Sequence, residues 1–286
     1  MSATIAGMPV TSPVHASFSR RSRLCVLALA TTMAQGCGDT AHEPVRLEFR
    51  LDSSHLACGA GVVSGQLGFY VSGLRLVDAY GTTTPVSLDT TSTQSQADGV
   101  ALVGWAGSCE QAPDADAASM ANPAVTGRVA GAMHQAVEFE LGVPFEHNHA
   151  NPLTAQPPLN VSSMFWTWQT GYKFLRLDLG SDWSFHLGST GCVSASAVRP
   201  PQACNRPNLA TVRLPAAAAF QGVVVVDLDS LLAGLDVTAA ENCVEAYGKR
   251  EECRRLLAGL GIDAETGRCV SECGHQTLFR YEPAPS

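Results

Sequence analysis

Residues able to do chemistry concentrate between Gly142 and Cys192. The stretch opens with Gly142-Val-Pro-Phe-Glu-His147-Asn-His149. It runs on through Met164-Phe-Trp166-Thr-Trp168-Gln-Thr-Gly171-Tyr172-Lys173-Phe174 and closes with Phe185-His186-Leu-Gly188-Ser-Thr-Gly191-Cys192. Three of the chain's four tryptophans and three of its eight histidines fall here. Imidazoles and a thioether are donors that soft and borderline metals accept, Cu(I) among them. On an extended chain, residues i, i+2 and i+4 share a face. That would align Met164, Trp166 and Trp168, and would point His147 and His149 the same way if their loop is extended. His186 closes a strand near a half-cystine able to hold it rigidly. The set makes an N/S metal site without a carboxylate cage. Each part also has a plainer role: a Trp-x-Trp pair packs cores, methionine fills gaps, and loop histidines are solvated or hydrogen-bonded. Spacing alone leaves metal binding and core packing both open.

A hydrolytic reading lacks its parts. No G-x-S-x-G elbow occurs. Gly188-Ser-Thr-Gly191 precedes a half-cystine in a tight turn, and Asp178 and Asp182 near His186 come with no nucleophile. The chain is therefore expected to bind and not to turn over substrate. Surface binding or structural support without a metal remains the alternative function.

The elements that must position these residues read as strands. Val45 to Leu51 alternates apolar and polar, as a half-buried strand does. Gly68 to Val77 is a second strand, turning at Asp78–Gly81 into a hairpin partner at Pro85–Leu88. Further strands are expected from Asp98-Gly99 through Val103, over Val125–Ala130 and Ala136–Gly142, within the aromatic stretch Ser163–Leu179, and at Trp183–Leu187, Val212–Leu214 and Val223–Leu228. Pro144 to Pro158 is a long polar, proline-rich loop. Spacing of this kind predicts an all-β, antiparallel β-sandwich-like single domain with long loops. From Ala239 the character changes: Glu251 to Leu260 reads as a helix ending at Gly259 or Gly261. The expected organisation is a leader over 1–37, a linker over 38–44, a β domain over 45–238, and a small Cys-rich, partly helical extension over 239–286 packed on the same domain.

Arg20, Arg21 and Arg23 precede a short apolar run, Leu24 to Met33, too short to span a bilayer. Ala34-Gln35-Gly36-Cys37 follows, a lipobox-like end in which Cys37 would be lipidated. The leader predicts export to the cell envelope, as a periplasmic or outer-membrane-associated lipoprotein whose only membrane attachment is the lipid at Cys37. Ten cysteines are present, two of them (Cys25 and Cys37) in the leader. Cys58, Cys109, Cys192, Cys204, Cys243, Cys253, Cys269 and Cys273 remain, an even number that reads as disulfides in an exported chain. No C-x-x-C pair suggests structural zinc. Only 15% of residues are charged and the formal net charge is −8. A packed globule is expected, and with no basic run nucleic acid is not an expected partner.

Several segments, in order, resemble the MbnP-like family of exported bacterial proteins, also called the four-Cys member of the metallo-mystery pair. They are Phe69-Tyr70-Val71-Ser72, Asp98-Gly99-Val100-Ala101-Leu102, Gly142-Val143-Pro144, Asn148-His149, Pro158-Leu159-Asn160, Met164 to Gln169, Gly171 to Phe174, His186 to Cys192, Cys204, and Pro207-Asn208. The resemblance spans about residues 45–280. It implies copper as the cofactor, with His149 and His186 as ligands and Met164 as a further ligand or neighbour. It also implies that Trp166 or Trp168 is oxidised to kynurenine, whose aniline nitrogen joins the histidines, and that a di-haem cytochrome c peroxidase-like partner carries out the oxidation. The implied disulfides are Cys58–Cys109 and Cys192–Cys204, the second closing a loop behind His186. Pairing among the four C-terminal cysteines stays open three ways. Trp105 stands where the resemblance implies an acidic residue near by, and is expected in the core.

Overall fold

The computed structural model describes residues 42–56, 65–107, 120–131, 133–167, 169–180, 183–196, 199–244, 247 and 249–284. The leader with Cys37, and also Cys58, Cys109 and Trp168, lie outside the described residues. The segment from Thr40 onward is one compact unit.

Two sheets form the body. The first has five strands in the order Phe279–Pro283, Gly222–Asp227, His42–Asp52, Ala124–Ala130 and Ser87–Leu88. Its neighbours are antiparallel, except that His42–Asp52 and Gly222–Asp227 run parallel. The second has eight strands built around the long strand Gly65–Val77. One half of that strand pairs with Leu175–Leu179 and Val100–Gly107; the other pairs with Ala136–Leu141 and Thr83–Pro85. Register shifts between Ser72 and Arg75, where Gly73 takes a φ of +57°. Such a bulge bends a strand, and glycine adopts that backbone without a Cβ clash. Trp183–Leu187 extends the sheet beyond Leu175–Leu179, and Ala210–Pro215 extends it beyond Ala136–Leu141.

The expected hairpin partner at Pro85–Leu88 divides. Thr83–Pro85 pairs in the second sheet and Ser87–Leu88 in the first, so the chain changes sheets at Val86, whose N–H bonds the Leu74 carbonyl. A proline at that corner withholds a ladder donor and favours the change.

Four phenylalanines join the sheets. Phe49 and Phe279 come from the first, Phe69 and Phe139 from the second. Their rings meet edge to face, with centroids 5.3–6.4 Å apart, and all are essentially buried. Each such pair adds about 0.5–1.5 kcal/mol beyond area burial. The segment after residue 238 supplies the helix Glu251–Gly259, an edge strand and one ring of the central cluster. The apolar–polar alternation of Phe279-Arg-Tyr-Glu spans too few residues to mark a strand by itself. Described disulfides are Cys192–Cys204, Cys243–Cys253 and Cys269–Cys273, which resolves the C-terminal pairing. Trp105 is half-buried and packs on the core against Phe69.

Candidate metal centre

Strand alternation builds the site. Leu175, Leu177 and Leu179 turn inward, as do Trp183, Phe185 and Leu187 on the neighbouring strand. Arg176, Asp178, Ser184 and His186 therefore share the opposite face. Antiparallel register sets Arg176 opposite His186 and Asp178 opposite Ser184, so Asp178 reaches His186 on the diagonal. Asp178 Oδ1 lies 2.6 Å from His186 Nε2. Its other oxygen accepts from Arg176 Nε at 2.7 Å and Gln66 Nε2 at 2.8 Å.

Burial pushes the Asp178 carboxyl upward. Hydrogen bonds from His186 and Ser184 and the Arg176 charge more than reverse this, and hold it far below the usual carboxylate range. Burial dominates at His186 and lowers its pKa, with the Asp178 hydrogen bond opposing and nearby Lys173 reinforcing the fall. The pair is accordingly a neutral imidazole whose Nε2–H donates to a carboxylate, not a salt bridge of imidazolium. That tautomer leaves the lone pair on Nδ1, which is buried and has no hydrogen-bond partner among the described residues. A buried polar atom without a partner costs about 1–3 kcal/mol, and a histidine whose other nitrogen is held by a carboxylate is the usual arrangement of a metal ligand.

The turn Ser162–Met164 and the two-stranded ribbon Phe165–Thr167/Gly171–Tyr172 cover this face. The Ser163 carbonyl accepts from Lys173 Nζ at 2.8 Å and from Arg176 at 3.4 Å. Trp166 is half-buried, its ring centroid 6.3 Å from that of His186. A Cβ placed on Gly188 would come within 2.5 Å of Trp166 Cζ3 and 2.7 Å of the Tyr172 carbonyl, so glycine is needed for the indole to seat there.

The strip is braced from behind. The His186 N–H donates to the Cys243 carbonyl at 3.0 Å, and the Tyr247 hydroxyl donates to the His186 carbonyl. Asn208 Nδ2 donates to the Gly188 carbonyl at 2.7 Å, and Ser189 Oγ donates to the Pro207 carbonyl.

His149 is linked to Ser189 through Asn148. It follows the helical turn Phe145–Asn148, is buried, and meets the Phe145 ring edge to face. Fully buried Asn148 accepts from the Tyr172 N–H through Oδ1, donates to Ser189 Oγ, and sets Nδ2 3.3 Å from His149 Nε2. That nitrogen lies 3.5 Å from Cys204 Sγ.

The structure brings His186 and Trp166 together; His149 is tied to the segment after His186 through Asn148 and Ser189 and sets its Nε2 beside Cys204. Two expected alignments do not form. Met164 ends a 3-10 turn and does not continue the strand of Trp166; it is fully buried and its sulfur packs with that of Met120 over Gly68. Gly68, Arg176 and His186 lie in one cross-strand row, so Met164 sits over a position about two strand spacings, roughly 10 Å, from His186. His147 lies within the helical turn, so it diverges from His149 and faces Asp98 at 3.7 Å. The Asp178 carboxylate that holds His186, and the Arg176 and Gln66 side chains that bond it, were not singled out by the sequence reading. The polar pairs Arg176/Asp178 and Ser184/His186 on facing strands across the Gly180 turn were the available signal.

Residues 42–246 match the model of the MbnP family. The chain belongs to that family. The solved structure of MbnP from Methylosinus trichosporium superposes with a TM-score of 0.66 at 24% identity, covering 86% of this chain and 100% of that one. At that identity the likeness shows the shared fold. No curated protein matches the chain significantly. The family match includes His149, Trp166, Asp178, His186 and the Cys192–Cys204 bridge, and stops short of the strand that carries Phe279.

Proposed function

We propose that this MbnP-family protein is an exported copper-binding lipoprotein, anchored through Cys37, that holds the metal and does not turn over substrate. His186 and His149 are the histidine ligands. Trp166 is oxidised to kynurenine by a di-haem partner. The observation that carries the reading is the His186 imidazole, fixed by Asp178 through Nε2, with Nδ1 buried and unpartnered among the described residues, and its ring centroid 6.3 Å from that of Trp166. The donor chemistry fits copper: neutral imidazoles in a dry setting suit it, and burial keeps His186 neutral. The family's association with copper supports the same choice. Copper bound here would supply a redox-active Lewis acid held by nitrogen.

Indole offers a metal no lone pair, whereas its ring-opened product offers an aniline nitrogen. Opening the C2–C3 bond adds two oxygen atoms; drawn from water, they release four electrons and four protons, the electrons passing to the haems and on to their oxidant. Hydrolysis then releases formate and leaves kynurenine. Half-burial of Trp166 leaves an edge from which a docked haem protein can draw electrons. Peptide mass analysis and elemental analysis of protein made with its envelope partners test this. One oxygen gained and one carbon lost on the Trp166 peptide, with stoichiometric copper, is the expected result. Unmodified tryptophan with stoichiometric copper removes the kynurenine step. Protein that refuses copper when it is supplied removes the whole reading and leaves a metal-free binding module.

A further inference from the structure

A ring nitrogen of His149 and the sulfurs of Cys192 and Cys204 all lie within 4.8 Å of one another, and Nε2 is 3.5 Å from Cys204 Sγ. As found, the two sulfurs are bonded to each other, and a disulfide is a poor donor where a thiolate is a strong one. We propose that the Cys192–Cys204 bridge is a redox gate: its reduction creates a second soft-metal site, of one imidazole and two thiolates, that takes Cu(I).

Three observations support it. Cys192 and Cys204 are a directly paired couple on the two-stranded ribbon Thr190–Val193/Ala203–Arg206, which belongs to neither large sheet, so opening the bridge leaves the core intact. Both cysteines are half-exposed, within reach of a thiol. Of the other described bridges, Cys243–Cys253 is buried at both ends and Cys269–Cys273 at one, so Cys192–Cys204 alone among the described bridges is accessible at both cysteines. His149 is held in place by its buried position and the Phe145 ring, so its nitrogen stays beside Cys204 when the sulfurs part. Two thiolates and one imidazole form a donor set that favours Cu(I).

The reaction balances. A dithiol reductant gives two electrons and two protons to the cystine, yielding two thiols, and itself closes to a disulfide. Cu(I) binding then displaces both thiol protons to solvent. The inference shares His149 with the function proposed above but needs neither His186 nor an oxidised Trp166, so loss of thiol protection and loss of copper binding at His186 are read separately.

The test reduces the full chain with a trialkylphosphine under conditions that preserve its circular dichroism. Cu(I) is added or withheld, free thiols are alkylated, and the cysteines are mapped by mass. Both Cys192 and Cys204 should alkylate without the metal and be protected with it. His149→Ala should raise the Cu(I) needed for protection at least about tenfold, since even loss of a partner behind a ligand costs ten- to a hundredfold. His186→Ala should leave protection unchanged, which separates this site from the other. Equal alkylation with and without Cu(I), or a bridge that reduces only as the circular dichroism collapses, overturns the proposal. So does protection indifferent to His149→Ala.

Discussion

Asp178→Asn is the sharpest probe of the site. The side chain keeps its shape, so packing is retained, and the change acts on charge and on hydrogen-bond direction. In the native protein the carboxylate only accepts, which forces the His186 proton onto Nε2 and the lone pair onto Nδ1. An amide can donate through Nδ2. Donation to Nε2 moves the imidazole proton to Nδ1 and removes the lone pair from the buried side. Loss of such a partner lowers metal affinity about 10- to 100-fold, which is roughly 1.4–2.8 kcal/mol. Stability should also fall, by about 1–3 kcal/mol, because the half-buried Arg176 guanidinium loses its charged acceptor. Two assays follow: competition for Cu(I) against a chromophoric chelator, and nitrogen chemical shifts of His186 in metal-free protein, which report the tautomer directly. Gln66→Ala is the control, since Gln66 bonds the same carboxylate without touching His186. A folded Asp178→Asn protein with the native tautomer and Cu(I) affinity within twofold of native would refute the argument that Asp178 sets the ligand.

Gly188→Ala should displace the Trp166 ring, because a methyl there meets both the indole and the Tyr172 carbonyl; overpacking of this kind costs about 1–3 kcal/mol. Altered near-ultraviolet circular dichroism and weakened copper binding are expected, and an unchanged spectrum contradicts the seating described. Phe279→Ala should lower stability by about 3–5 kcal/mol, measurable by urea titration; a loss under 1 kcal/mol would show that the C-terminal strand is peripheral. Lys173 predicts a rise of stability with pH. Burial, and then the Arg176 charge, lower its pKa from 10.5 to about 8 against an opposing pull from Asp178. Between those values the unfolded chain holds the proton and the folded chain does not, so unfolding takes up a proton and stability climbs with pH, by on the order of 2 kcal/mol from pH 8 to pH 10. Above pH 10 the raised pKa values of Tyr70 and Tyr172, both driven first by burial, reverse the trend. Lys173→Met should flatten the rise in urea titrations run across that range; an equal slope in the variant assigns the effect elsewhere.

Much of the fold was legible from residue order alone. Alternation located the strands His42–Asp52 and Ala136–Leu141 within a few residues, because a half-buried strand must alternate, and apolar and aromatic runs located Gly65–Val77 and Trp183–Leu187. Charge, helix-forming residues and a following glycine placed Glu251–Gly259. Segment resemblance selected the family and the Cys192–Cys204 bridge.

Other features depend on contacts between distant residues, which local pattern does not encode. Strand periodicity does not say which strands pair, so the parallel match of His42–Asp52 with Gly222–Asp227 and the sheet change at Val86 emerged only in three dimensions. Phe279 joined the central cluster because a short strand 228 residues from Leu51 in sequence closes the same sheet. Met164 went to the core because a 3-10 turn, set by packing over Gly68, replaced the extended backbone on which its alignment with Trp166 depended. The tautomer of His186 needed the diagonal reach of Asp178 across a hairpin and the cover of a ribbon that excludes water. Sequence supplied the residue types capable of binding a metal; tertiary structure decided which nitrogen lone pair is buried and, among the described residues, left without a partner.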